Sequence, residues 1–306
     1  VRRDGTSKLL NNKWGTFYAG SLGWKISNEN FFKDVESISN LKLRFGVGQN
    51  GNQDIPPYVT SAGFYSDPYN SNYSVDGSQN SVFNGYVLSR NSNPDLKWET
   101  TEQYNAGIDI GLINNRLTFS VDYFNKKTKD LLLERNLTPA SGGTNSTIWD
   151  NVGTMENKGF EFTANYKSNY EKEFKYGIGL NASIIKNELT SLKDGVDFVG
   201  IDAVALRNNN FDQEVSRTAV GQPIASFYGW VANGIFQNQG EIDSHATQNT
   251  ATAPGDIRFT DINNDGVIDD KDRTFIGSPH PDLNMNLTLD FEYKNFDMNL
   301  LFRSSF

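Results

Sequence analysis

Oxygen-bearing side chains recur at cation-binding spacing in Asp261-Ile262-Asn263-Asn264-Asp265-Gly266-Val267-Ile268-Asp269-Asp270-Lys271-Asp272. In the calcium-loop template, oxygens come from loop positions 1, 3, 5 and 12 and from the position-7 backbone carbonyl, and position 9 acts through water. Here those positions are Asp261, Asn263, Asp265, Asp272, the carbonyl of Val267, and Asp269. Gly266 stands where the loop must turn sharply. The spacing predicts a bound Ca²⁺. Position 12 is the shorter Asp272 where helix-flanked sensors carry Glu, which leaves Mg²⁺ as a second candidate. The flanks, Ile257–Thr260 and Thr274–Ile276, read as extended, so the metal would stiffen a surface loop and take no part in catalysis. The competing reading is an Asx-rich turn without metal, although so many carboxylates without a cation would repel one another.

Other chemistry is sparse. The two histidines, His245 and His280, lie in polar segments with no serine or cysteine nucleophile pattern beside them. Ser141-Gly142-Gly143 is too short for a phosphate loop and reads as a turn. Trp149 and Tyr228-Gly229-Trp230 could stack on sugar rings or simply pack within their loops. A carboxylate pair for glycoside hydrolysis is a matter of three-dimensional spacing that sequence does not reveal. A net charge of −9 argues against nucleic acid as a partner. The absence of cysteine excludes disulfides and thiolate metal sites.

The elements that would carry these residues alternate with period two. Leu117, Phe119, Val121 and Tyr123 oppose Thr118, Ser120 and Asp122. Phe160, Phe162, Ala164 and Tyr166 oppose Glu161, Thr163 and Asn165. Met285, Leu287, Leu289, Phe291 and Tyr293 oppose Asn284, Asn286, Thr288, Asp290 and Glu292, and Phe296, Met298, Leu300 and Phe302 continue the pattern. With Trp14–Ile26, Leu41–Val47, Tyr104–Leu112 and Phe174–Ile184, about eight strands are predicted, most near the ~9–11 residues that cross a bilayer at a tilt. Short links at Asn114-Asn115, Ser168–Lys172 and Lys294-Asn295 alternate with long polar ones at Asn50–Trp98, Lys129–Asn157 and Asn187–Pro281. Ser27–Asn40 is an intermediate link expected to hold a helical turn. This sorting is the pattern of an outer-membrane barrel, with short periplasmic turns and long extracellular loops. The mean hydropathy of −0.56 excludes helical spans but not strands that alternate lipid-facing and lumen-facing residues. Trp14, Trp24, Trp98, Tyr123, Tyr166 and Tyr176 are expected in the interfacial girdles.

Six ordered segments then point to a family: Trp14-Gly15-Thr16-Phe17 through Ser27; Leu41-Lys42-Leu43-Arg44 through Gln53; Asn93-Pro94-Asp95-Leu96-Lys97-Trp98-Glu99-Thr100-Thr101; Asn151-Val152-Gly153 through Glu161; Ser226-Phe227-Tyr228-Gly229-Trp230 with Asn233-Gly234-Ile235-Phe236; and Gly255-Asp256-Ile257 through Arg273. Together they resemble the SusC-like (SusC/RagA) TonB-dependent transporters of Bacteroidetes. The resemblance implies an all-β transmembrane antiparallel barrel of about 22 strands, of which this chain supplies about eight from the C-terminal half. It also implies localisation in the bacterial outer membrane. The implied activity is import of a glycan or peptide, with a SusD-like surface lipoprotein as lid and TonB engaged through an N-terminal region not seen here. The whole of 1–306 is then expected to form part of one barrel domain, with the plug and closing strands outside it; Val1-Arg2-Arg3-Asp4 does not read as a natural start. The runner-up readings are a soluble calcium-stabilised carbohydrate-binding protein and an extracellular glycosidase.

Overall fold

The computed structural model describes residues 1–66, 71–74, 77, 82–137, 147–169, 171–194, 196–200 and 214–306. These gather into two compact units, Val1–Val196 with Pro281–Phe306, and Asp197–His280. Ser141-Gly142-Gly143 lies outside the described residues.

The first unit is built on eight strands: β1 Ala19–Lys25, β2 Ile38–Asn52, β3 Glu99–Leu112, β4 Leu117–Lys129, β5 Gly153–Lys167, β6 Phe174–Leu192, β7 Leu283–Tyr293 and β8 Phe296–Ser305. They form one sheet in chain order, every neighbour antiparallel. The sheet is open, with β1 at one edge and β8 at the other. Its links sort as the sequence predicts. Residues 26–37, 113–116, 168–173 and 294–295 make the short turns of one end, and 53–98, 130–152 and 193–282 make the long connections of the other. Asn114, Asn115 and Lys294 adopt positive φ, which lets these turns reverse within so few residues. The 26–37 link holds two 3₁₀ turns, Ile26–Asn28 and Asn30–Phe32.

Because opposed residues of an antiparallel ladder share a face, the register can be read across the sheet. Leu41, Ile110, Phe119, Ala164, Leu180, Leu287 and Phe302 form one row. Trp24, Leu43, Ile108, Val121, Phe162, Ala182 and Met285 form the next row on that face. Lys42, Asp109, Ser120, Thr163, Asn181 and Asn286 run between them on the opposite face. One face is therefore apolar across eight strands and the other polar. Along β6 the apolar stretch runs from Phe174 to Ile184. That is ten steps of about 3.4 Å, or about 24 Å of height at about 45° of tilt, close to the hydrocarbon band of a barrel wall. The lower edge of the band is Leu112, Leu117 and Tyr166 on β3–β5 but drops to Phe174, Tyr293 and Phe296 on β6–β8. Tilted strands require such a slip if the band is to stay level.

Three expectations need correcting. Trp14–Ile26 is not one strand: Trp14–Phe17 pairs with Arg2–Gly5, the ladder breaks at Tyr18, and Ala19–Lys25 then joins the main sheet. Trp98 is buried, edge-on to Phe17 at 5.7 Å, in a core with Leu9, Ile55, Val59, Leu96 and Leu132. It anchors the long connections instead of joining a lipid girdle. Several strands also exceed the bilayer length, up to 19 residues in β6, because the ladder continues above the apolar band with polar residues on both faces. Trp24, Tyr123, Tyr166 and Tyr176 do sit on the apolar face near its edges.

An arginine on the apolar face must lie in hydrocarbon, whereas one on the polar face does not. Leu289→Arg is expected to destabilise the membrane-embedded protein by roughly 2–4 kcal/mol, and Thr288→Arg by less than about 1 kcal/mol. Equilibrium denaturation of the full-length protein in lipid vesicles measures both; equal costs would mean the faces are misassigned.

Candidate functional site

The polar face carries a charge network that spans three strands. Arg44 of β2 donates from Nε and Nη2 to both carboxylate oxygens of Asp109 on β3, each at 2.8 Å. It also reaches past β3 to Asp122 on β4, at 2.8 Å from Nη1 and 2.9 Å from Nη2. Ser120 ties the two acids together by donating to Asp109 at 2.9 Å. The bridge is possible because Gly107 stands between them: a Cβ there would lie 2.2 Å from Asp122 Oδ1 and 2.8 Å from Arg44 Nη2. Sequence reasoning did not single out this cluster. Its signal was present, since Arg44, Asp109 and Asp122 all fall on the polar parity of clean strands, but the strand order was needed to bring them together. The result is a rigid, hydrogen-bonding surface suited to a polar solute or to another polar segment.

At the long-connection end, one buried acid organises the chain. Asp150 accepts from Lys193 Nζ at 2.8 Å, from Arg135 at 3.2 Å and from the Asn151 amide at 3.0 Å. It thereby joins the 130–152 connection to the start of the 193–282 connection. Trp149 packs against the core around Trp98, so it serves loop packing here.

In the second unit, Ser216–Ala219, Ser226–Trp230 and Arg273–Gly277 belong to a four-stranded sheet, and Ala232–Ile235 pairs with Ile257–Phe259. The flanks of the Asp261–Asp272 loop are thus extended, as predicted. Tyr228 and Trp230 are held by neighbours: Arg217 lies 3.8 Å from the Tyr228 ring, Phe275 meets that ring edge-on, and Trp230 Nε1 donates to the Asp269 carbonyl at 2.8 Å. The Arg217 guanidinium is raised above its ordinary pKa, chiefly by its hydrogen bond to Glu214.

The loop itself closes largely on its own backbone. Asp261 Oδ2 accepts from the Gly266 amide, Asn263 Oδ1 from Asp265, and Asp265 Oδ1 from Val267, at 2.9, 2.9 and 3.0 Å. Gly266 has φ +85°, a conformation that favours glycine. Asp272 is fully buried. Its oxygens accept from the amides of Ile262 and Asp269 at 2.9 Å each and from Asn263 at 3.4 Å. Asp269 caps the 3₁₀ turn Asp270–Asp272, and with Asp272 it forms a capping box. That Asp-x-x-Asp signal is present in the sequence, where it coincides with the cation-ligand spacing. Asp261 Oδ1 is buried without a hydrogen-bond partner. Among the described residues no group of three or more His, Asp or Glu side chains converges as a metal cluster. The structure thus brings Asp261, Asn263, Asp265, Val267, Asp269 and Asp272 around one turn, with Asp269 and Asp272 engaged by backbone amides. His245 packs edge-on against Phe236, and His280 Nε2 lies 3.1 Å from the Ile224 carbonyl, so neither faces a nucleophile.

A family model for the β-barrel of TonB-dependent receptor-like proteins matches residues 1–300. The chain belongs to the TonB-dependent receptor β-barrel family. This is an outer-membrane family of receptors and not of enzymes. TonB-dependent receptor P3 of Formosa agariphila is 39% identical over 306 residues, which are all of this chain and 29% of that protein. TonB-dependent receptor SusC of Bacteroides thetaiotaomicron is 35% identical over 318 aligned positions, again covering the whole chain and 29% of the relative. A solved RagAB peptide transporter superposes with a TM-score of 0.76 at 23% identity, over 98% of this chain and 30% of that one, and so shares the fold. The chain spans less than a third of the relatives it matches. In this TonB-dependent receptor segment, the apolar face is the lipid side, the polar face is the lumen side, and the long connections are extracellular.

Backbone donors to Asp272 favour its ionised form and hold its pKa below the usual carboxylate value, against the opposing effect of burial. A lowered folded pKa contributes stability that is complete above the unfolded value of about 3.9 and is lost as pH falls through the folded value. Hydrogen exchange of the Ile262 and Asp269 amides should therefore stay protected from neutral pH down to about 4 and weaken only below that. Asp272→Asn should remove that protection at neutral pH while leaving the amides of β4 and β5 unaffected.

Proposed function

We propose that the chain forms part of the wall and outer vestibule of an importer that moves a bulky polar nutrient, a glycan or a peptide, across the outer membrane. The observation that carries this reading is the two-faced sheet, apolar outside and ion-paired inside, in a chain 35% identical to SusC along its whole length. An inner face of Arg44, Asp109, Asp122, Thr163, Asn165 and Asn181 offers donors and acceptors without a deep apolar slot. That suits a solute rich in hydroxyls or amides. Energy would come from TonB through the receptor's other domains. A SusD-like lipoprotein would cover the extracellular end, where the long connections are held by the Trp98 core and Asp150.

The Asp261–Asp272 loop completes the proposal as a structural Ca²⁺ site, with Mg²⁺ as the alternative ion. Asp261, Asn263, Asp265 and the Val267 carbonyl would hold the ion, with Asp269 through water and Asp272 closing the loop. The partnerless, buried Asp261 Oδ1 supports this reading. The metal would draw the 261–272 turn together and supply no chemistry.

Two experiments test these readings. Tagged full-length receptor extracted from native outer membranes in mild detergent is expected to retain a lipid-anchored surface protein. Deletion of its gene should abolish growth on one class of oligosaccharide or oligopeptide while sparing growth on the monomers. Undiminished growth on all such substrates would refute the import role. For the metal, Asp265→Ala or a chelator should raise protease cutting within 261–272 and leave the sheet resistant. Equal cutting with calcium and with chelator would rule out a structural ion.

A further inference from the structure

The long connection from 53 to 98 holds one aromatic residue against its own backbone preference. Tyr58 has φ +63°, in the left-handed region, where Cβ crowds the following carbonyl oxygen. It follows Pro56-Pro57 in a tight turn, and a positive φ just after a turn proline is normally given to Gly or Asn. Packing of the ring offers no compensation, because Tyr58 is 79% exposed. Among the described residues it is the only aromatic with positive φ. Phe64 and Tyr86 are exposed too, but at ordinary φ.

The surroundings fix this conformation. Ile55 and Val59 are buried in the core around Trp98, and Thr60 is buried beside them. The Tyr58 carbonyl accepts from the Ser61 amide and from Arg90 Nη2, each at 3.1 Å. Arg90 Nε donates to the Ser61 carbonyl at 3.4 Å, and Arg90 is itself paired with Gly63 in the strand Val87–Arg90. The Asn93 amide donates to the Thr60 carbonyl at 3.1 Å. The turn is therefore pinned on its inner side and carries a phenol ring into water on its outer side. Strain that the surrounding structure holds in place clusters at ligand-contacting positions. A tyrosine presented this way loses little entropy on contact, since its side chain has few free torsions.

The chemistry of the surface narrows the ligand. Pro56, Pro57, Ser61 and Ala62 are exposed and uncharged, so nothing here selects an ionic group. Tyr58 lies on a turn and not on a strand edge, so a peptide backbone has no ladder to join. One ring with its turn also falls far short of the ~800 Å² per partner of a standard protein interface. A flat ring with an apolar face and a polar tip matches a sugar ring, which has C–H bonds on its face and hydroxyls at its rim. We propose that Tyr58 is a stacking platform for a saccharide ring on the extracellular surface, with Arg90 as the residue that positions it. The inference rests on the import reading for its setting, and it adds a capture point outside the lumen.

The test uses full-length receptor in detergent on an array of neutral, carboxylated and sulfated oligosaccharides, with oligopeptides printed alongside. The parent protein is expected to retain at least one saccharide. Tyr58→Asn, which accepts the left-handed turn, should weaken that binding by about tenfold and melt no lower than the parent. Tyr58→Phe and Tyr58→Trp should keep it within about threefold. Arg90→Lys cannot span both carbonyls. It should weaken binding and also speed hydrogen exchange at the Ser61 amide, which Tyr58→Asn leaves unchanged. Retention of no saccharide by the parent, equal binding by Tyr58→Asn and the parent, or a Tyr58→Asn protein that melts well below the parent would each overturn the proposal. Failure of the import reading looks different: deleting the gene would leave growth intact while the dependence of saccharide binding on Tyr58 persisted.

Discussion

Hydrocarbon offers no partner to a peptide N–H or C=O, and each unsatisfied group there costs several kcal/mol. A chain that crosses a bilayer in strands must therefore pair each strand on both edges. The antiparallel meander from β1 to β8 meets that demand for its interior strands, and most of the other features follow from it. Period two is imposed by the pleat, so the same ladder that satisfies the backbone divides the side chains into a lipid face and a lumen face. Short turns and long connections sort to opposite ends because consecutive strands run in opposite directions. The Arg44–Asp109–Asp122 network can exist because the register brings three strands level and Gly107 keeps the middle one clear.

Above the membrane the constraint changes. Water can satisfy backbone groups there, so the connections need their own reason to be ordered. They find it in compact apolar and ionic contacts that gather distant segments. Leu9, Phe17, Ile55, Val59, Leu96, Trp98 and Leu132 come from the N-terminal hairpin, two connections and a strand margin. Asp150 holds cations from both sides of β5 and β6, at Arg135 and Lys193. In the second unit, Arg217 stacked on Tyr228 and the capping box of Asp269 and Asp272 do similar work on a smaller scale. An extracellular region ordered this way can present a fixed surface to a partner or a solute.

Much of the sheet was legible in the sequence. Leu117 to Tyr123, Phe160 to Tyr166 and Met285 to Tyr293 alternate so cleanly that each strand and its two faces follow from them. The turns at Asn114-Asn115 and Lys294-Asn295 were equally plain, because Asn and short polar pairs tolerate positive φ. The upper parts of the strands were not legible, since polar residues on both faces erase the hydrophobic contrast that marks a strand. Trp98 is ambiguous in sequence because an aromatic residue at a strand margin fits a lipid girdle and a small core equally well, and only the Phe17 hairpin folding back decides between them. The break at Tyr18 had no local signal. In the Asp261–Asp272 loop, the same carboxylate spacing that marks a cation site also marks Asx turns and a capping box, and sequence alone does not separate the two uses of one oxygen.

The central claim is that the register of this sheet sets one face in lipid and the other in water. The most direct test is single-cysteine scanning of β4 from Leu117 to Phe124 in the full-length receptor, in intact outer membranes. Each variant is treated in parallel with a charged aqueous maleimide and with a lipid-dissolved probe. The account predicts strict alternation: Leu117, Phe119, Val121 and Tyr123 positions react from lipid, and Thr118, Ser120 and Asp122 positions react from water. Aqueous labelling of both sets, or a pattern with helical period, would contradict it.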